Sequence, residues 1–145
     1  MKKILILFLC LLCLTGCSST SSNIDIQTLD SELSQKITFE DELTLYEGNV
    51  QNLYGIEEPK SSIVYVGSGA TAEELAFFEF EDTTTANEAY EQLEYYIKER
   101  KESYAIYNPK EAERLENAII KIKDCVVLLC VSNDENALEK INEYL

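Results

Sequence analysis

Apolar residues recur along this chain at spacings that change from segment to segment, and each change predicts an element. Ile4 to Leu14 is an unbroken apolar run behind Met1-Lys2-Lys3. Between Ile24 and Ile37, the residues Ile26, Leu29, Leu33 and Ile37 stand at helical spacing and predict an amphipathic helix. Phe39 to Leu45 shows no decisive period. Glu47 to Tyr54 reads as a short helix with Gly55 as its stop, and Glu57-Glu58-Pro59-Lys60 as a loop.

The period then shortens. Ile63-Val64-Tyr65-Val66 is β-branched and aromatic, and predicts a strand. Gly67-Ser68-Gly69-Ala70 turns the chain, and Glu73 to Glu81 returns as a second strand. That strand carries Ala76, Phe78 and Phe80 on one face and Leu75 and Phe77 on the other, so it should be covered on both sides. Thr85 with Glu88 predicts a capping box opening a helix, with Ala86, Ala89, Tyr90, Leu93 and Ile97 on its buried stripe. Tyr95 falls opposite that stripe, an exposed aromatic and a candidate contact residue.

Asn108, Pro109 and Glu111 predict the cap, first position and capping box of another helix, with Ala112 and Leu115 inward. Ala118 to Lys123 and Cys125 to Val131 predict a hairpin turning near Lys123-Asp124. Ser132 and Glu135 predict a third capping box, before a last helix with Ala137, Leu138, Ile141 and Leu145 on one side. Two hairpins, each followed by helix, define an α+β fold: one antiparallel sheet of about four strands with helices packed against it. The expected organisation is a signal peptide over 1–16, a lipidated cysteine and Ser/Thr linker over 17–23, and a single globular domain over 24–145.

The first segment carries the clearest functional information. Its basic start and apolar run match a secretory signal peptide, and the run is shorter than the roughly 20 residues a spanning helix needs. Leu14-Thr15-Gly16-Cys17 resembles the lipobox of bacterial lipoproteins. The resemblance implies diacylglycerol attachment to the Cys17 thiol, cleavage before it, and a lipid-anchored protein on the extracytoplasmic face of the cell membrane. Each buried methylene contributes about 0.8 kcal/mol, so two chains hold firmly where one holds reversibly. Ser18 to Asn23 would then be a flexible tether.

Composition narrows the partners. The 145 residues carry 12 basic and 27 acidic side chains, net −15; losing residues 1–16 removes two lysines and no acid, leaving −17. Such an acidic surface argues against nucleic acid and against adsorption to anionic lipid. The expected partners are the membrane, through the lipid, and an envelope protein; no small-molecule class is specified. Of five cysteines, Cys125 and Cys130 remain once the signal and Cys17 are set aside. On one straight strand they lie roughly 16 Å apart and face opposite ways, so they read as buried free thiols.

Histidine is absent, which removes the Ser-His-Asp and Cys-His arrangements and the usual zinc sites. Asn133-Asp134-Glu135-Asn136 offers oxygen ligands, but a helix start explains it better. No catalytic residue, metal ligand or cofactor is assigned. Two carboxylates are worth following, Glu74 and Glu79, because they flank the Phe-rich strand. A Glu half-buried there would have a raised pKa; one at a strand edge would be solvated or paired with lysine.

Three groups of residues carry a further resemblance: Leu53-Tyr54-Gly55-Ile56, Gly69 to Phe78, and Tyr107 to Glu111 with Leu115 to Ala118. Together they resemble an uncharacterised lipoprotein family, domain of unknown function 4358, from about Ile24 to the end. Asp124 departs from expectation, since glycine would suit the hairpin turn there. The resemblance implies an envelope location and lends no catalytic residues. The expectation is therefore a non-catalytic binding or accessory module of the cell envelope. The alternatives are a small carboxylate-dependent hydrolase, which needs two acids in one pocket, and a structural envelope component, which needs a large exposed apolar patch.

Overall fold

The computed structural model describes residues 24–145. The expected signal segment, the expected lipidation at Cys17 and the expected linker lie outside the described residues. Among those described, no helix is long and apolar enough to cross a membrane.

Ten elements follow in order: α1 (Ile26–Lys36), β1 (Thr44–Leu45), α2 (Val50–Tyr54), β2 (Ser61–Val66), β3 (Glu74–Glu79), α3 (Thr83–Tyr107), α4 (Pro109–Glu116), β4 (Ile119–Lys123), β5 (Val126–Val131) and α5 (Ala137–Asn142). The fold is α+β, with an open antiparallel sheet of five strands in the order β1-β2-β3-β5-β4. Both predicted hairpins are present, and β3 and β5 pair to join them. The extra strand is β1, two exposed residues on the edge of β2.

Side chains alternate across the central strands and build two cores. Ala76, Phe78, Val127 and Leu129 face α2, α3 and α4, which supply Tyr54, Leu93 and Leu115 among others. Leu75, Phe77, Leu128 and Cys130 face the other way, against Ile26, Leu29 and Leu33 of α1 and Ile141 of α5. The sheet is thus covered on both faces, as the two-sided apolar pattern of β3 requires. Lys121 and Lys123 mark the free edge at β4 and oppose pairing with another chain.

Several local expectations are corrected. Helix α3 is capped by Asp82, whose carboxylate accepts from the Thr85 amide at 2.9 Å and the Thr85 hydroxyl at 3.3 Å; Thr85 is already helical. Asp82 wins because its extended backbone and short carboxylate suit the cap, three residues earlier. Pro109 does open α4, but Asn108 makes no side-chain cap bond and Glu111 is drawn into the interior instead. The Ser132 box does not form: α5 starts later, and Ser132 Oγ accepts from the Asp134 amide. Leu138 is exposed rather than inward, while Ala137 and Ile141 are buried. Cys125 sits in the β4–β5 turn, partly exposed, not within β5; Cys130 is buried, and both thiols are free. Burial pushes the Cys130 thiol up to about 12, which leaves it inert.

Residues with positive φ shape three loops, at Gly55, Gly69 and Asp124. Gly55 ends α2 at φ 71°, as its position predicts. Asp124, the first of two residues between the paired Lys123 and Val126, has φ 53°. The turn kept the glycine-type conformation without the glycine.

Candidate functional site

The segment from Ala72 to Glu74 brings two neighbouring carboxylates into the interior, each about 1% exposed. Successive side chains point opposite ways, so the two acids meet different partners.

Glu74 lies under α3. One oxygen accepts from the Tyr54 hydroxyl, the other from the Tyr96 hydroxyl at 3.2 Å and from the Arg100 guanidinium. Tyr96 and Arg100 are four residues apart and share a helix face, which is why one carboxylate meets both. The Tyr54 ring packs edge-on against Tyr96, with centroids 4.8 Å apart. Burial pushes the Glu74 carboxyl above its ordinary range, against the pull of Arg100 and the two hydroxyls. Burial and the adjoining Glu74 charge push both tyrosines well above theirs. Burial opposes the Arg100 charge too, but Glu74 and Tyr96 outweigh it and hold its pKa high.

Arg100 is placed rather than free. Its guanidinium lies 5.3 Å from the Tyr96 ring centre and 5.7 Å from that of Tyr104. Its side chain is 23% exposed; Nη1 donates to Glu74, the Tyr104 hydroxyl lies beside it, and the five-donor fork carries more N–H groups than these two partners take. Arg100 lines a pocket of about 260 Å³ together with Tyr46, Leu53, Val66, Tyr96 and Tyr104. Thr71 and Gly67 form its rim, held by Asp41, which accepts from the Ser68 amide and hydroxyl, both at 2.7 Å, and from Thr71 Oγ1 at 3.3 Å. The Ser68 bonds hold the Asp41 carboxyl below its usual range. A side chain at Gly67 would meet Asp41 Oδ2 at 2.9 Å, so the rim needs glycine there.

Glu73 turns the other way. It accepts from the amides of Glu40 and Asp41 at 2.7 to 3.0 Å and lies 3.6 Å from Arg114. Arg114, 4% exposed at its side chain, also pairs with Glu111 at 2.9 Å and Glu40 at 2.5 Å. Glu111 in turn accepts from the Ala72 amide at 2.7 Å. This cluster ties α4 to the loop before β1 and to the start of β3. It borders a larger cleft of about 620 Å³, along with Ser132, Asp134 and Leu138. Its buried charges are already engaged: Arg114 by three acids, and Asp134 by Lys140 at 2.6 Å, the Thr38 amide at 2.9 Å and the Asn136 amide at 2.9 Å. Size alone therefore does not mark the better site. The smaller pocket holds the partly buried guanidinium with further donors to offer.

The two followed carboxylates have different fates. Glu79 lies at the far end of β3, bonded to Lys60 at 2.7 Å and Ser61 at 2.9 Å, and Lys60 holds its carboxyl low. Glu74 is wholly buried with a raised pKa. The strand keeps them apart, so they form no pair. Tyr95 is exposed and lies outside the pocket. Asn133 to Asn136 shape the start of α5, and no group of three or more candidate metal ligands occurs among the described residues. Sequence reasoning missed Arg100, Tyr96, Tyr104, Glu73, Glu111 and Arg114. The available signal was the spacing Tyr96, Arg100, Tyr104, a polar–aromatic stripe at i, i+4 and i+8 on α3.

Fold and site together define an α+β domain with a sheet covered on both faces and a tyrosine-walled pocket around a fixed guanidinium. The chain belongs to the family described as domain of unknown function (DUF4358), which matches residues 35–132, a narrower stretch than the resemblance running from Ile24 to the end. No curated protein and no solved structure matches it.

Proposed function

We propose that this chain is a lipid-anchored lipoprotein of the extracytoplasmic membrane face, acting as a non-catalytic binding or accessory module of the cell envelope. Support for the anchor is the apolar run of residues 4–14 ending in Leu14-Thr15-Gly16-Cys17. The observation that carries the binding role is Arg100, fixed on buried Glu74 and lining a pocket. A guanidinium held by one carboxylate, with further donors to offer, suits recognition in a concave, aromatic-walled site.

The carboxylate hydrolase is less well supported. The three buried acids are engaged by donors, Glu74 by two hydroxyls and Arg100, Glu73 by two amides beside Arg114, and Glu111 by the Ala72 amide and Arg114. Proton transfer to a substrate requires an acid free to reach it. For a structural role, the exposed large apolar side chains are Leu45, Tyr95, Ile106, Tyr107 and Leu138, which lie on several elements.

The test is a thermal-shift screen of the lipidated full chain in detergent against sugars, amino acids, carboxylates, phosphates and short peptides. We expect at least one class to raise the melting temperature of the wild type and to lose that effect in Arg100→Lys. No response from any class, or responses unchanged in the variant, would overturn the pocket as the binding site.

A further inference from the structure

We infer that the Arg100 pocket takes an uncharged, hydroxyl-rich ligand, a single neutral sugar ring; the inference rests on the binding role proposed above.

The chemistry of the walls excludes the other classes in turn. An apolar ligand would cover the remaining Arg100 donors without bonding them, which is costly for a charged group. A cation would meet the like charge of the Arg100 guanidinium, which lies over the rings of both Tyr96 and Tyr104. An anion would find the guanidinium charge already answered by Glu74, with Asp41 behind the rim. The chain as a whole is strongly acidic, net −15.

What remains is a ligand that both donates and accepts while staying neutral, and the pocket is furnished for that. Arg100 supplies donors. The Tyr46 and Tyr104 hydroxyls make long bonds to backbone carbonyls, 3.5 Å to Asn49 and 3.4 Å to Thr71, which a ligand hydroxyl can replace at little cost. Leu53 and Val66 provide the apolar wall that the C–H face of a sugar ring needs. Gly69, at φ 93° with nothing within 4 Å of an added Cβ, leaves the entrance open. A volume of about 260 Å³ lies just below the usual range for drug-sized ligands, which suits one ring rather than an oligosaccharide.

The experiment is equilibrium binding, by ligand-observed NMR, to the lipidated full chain in a detergent without a sugar headgroup. The neutral probes are glucose, galactose and N-acetylglucosamine. The charged counterparts are glucuronate, galacturonate and glucosamine, with acetate and inorganic phosphate as simple anions. At least one neutral sugar should bind, and its uronate should bind about tenfold more weakly because of the added like charge. Arg100→Lys should weaken sugar binding about tenfold or more, because a point charge replaces the fork. Tyr46→Ala, on the pocket wall and making no bond to Glu74, should weaken it as well while leaving the circular dichroism spectrum unchanged. Preferential binding of uronates, acetate or phosphate, lost in Arg100→Lys, would overturn the neutral class while leaving the binding site standing. No binding of any sugar also overturns it, and the broader screen then decides whether the site itself survives.

Discussion

Replacing Glu74 by Gln keeps the shape of the side chain and removes its charge. One amide oxygen can still accept from Tyr54, but the amide nitrogen now faces the Arg100 donor. A hydrogen bond to a charged group contributes about 1.5–3 kcal/mol, and the ionised carboxylate it replaces was itself destabilised by burial, so the net loss at pH 7 should be about 1–3 kcal/mol. The pH dependence follows from the raised folded-state pKa of Glu74. Its protonated form is favoured by folding, so its contribution is full below the unfolded-state value near 4.3 and is lost as pH rises through the folded value. Gln cannot titrate. The wild-type advantage over Glu74→Gln should therefore grow as pH falls from 7 toward 4.5. Urea denaturation of both proteins at three pH values in that window measures it. An advantage that shrinks as pH falls would mean that Arg100, not burial, controls the carboxyl, and would refute the reasoning.

Arg114→Met should cost about 3–5 kcal/mol in the same assay, because it leaves Glu73 and Glu111 buried without their cation; adding Glu111→Gln should recover part of the loss. A cost under 1 kcal/mol would show that the backbone amides alone satisfy these acids. Asp124→Gly should stabilise by about 0.5–1 kcal/mol, by relieving a left-handed residue in the β4–β5 turn, and a stability loss would contradict that account. Cys17→Ser should abolish fatty-acid labelling and membrane retention in cells; equal label in variant and wild type would remove the anchor from the proposal.

The sequence made the cores legible and left the site mostly hidden, for one physical reason. Ile26, Leu29 and Leu33, or the alternating faces of β3, announce burial by a period within a single element. Arg114 is buried by acids 41 and 74 residues away at Glu73 and Glu40, so no local pattern signals it. Glu74 and Glu79 look equivalent as strand flanks. What separates them is that Glu74 lies under α3, while Glu79 meets Lys60 at the surface. Strand β1 has two residues and no buried face, too little for any period to register. The capping boxes failed where a neighbouring side chain competed: Asp82 took the α3 cap, and Ala72 with Arg114 took Glu111.

The central claim is that a ligand enters between Tyr46, Tyr96 and Tyr104 beside Arg100. Fluorine NMR of the full chain in detergent, labelled with 3-fluorotyrosine at its nine tyrosines, tests this directly when glucose, galactose and N-acetylglucosamine are titrated in separately, at least one of them giving the response. Single Tyr→Phe variants assign the resonances. The account predicts saturable shifts at Tyr46, Tyr96 and Tyr104, absent in Arg100→Lys, with the exposed Tyr95 unmoved. Shifts confined to Tyr95, or no saturable shift at the three pocket tyrosines with any of the sugars, would contradict it.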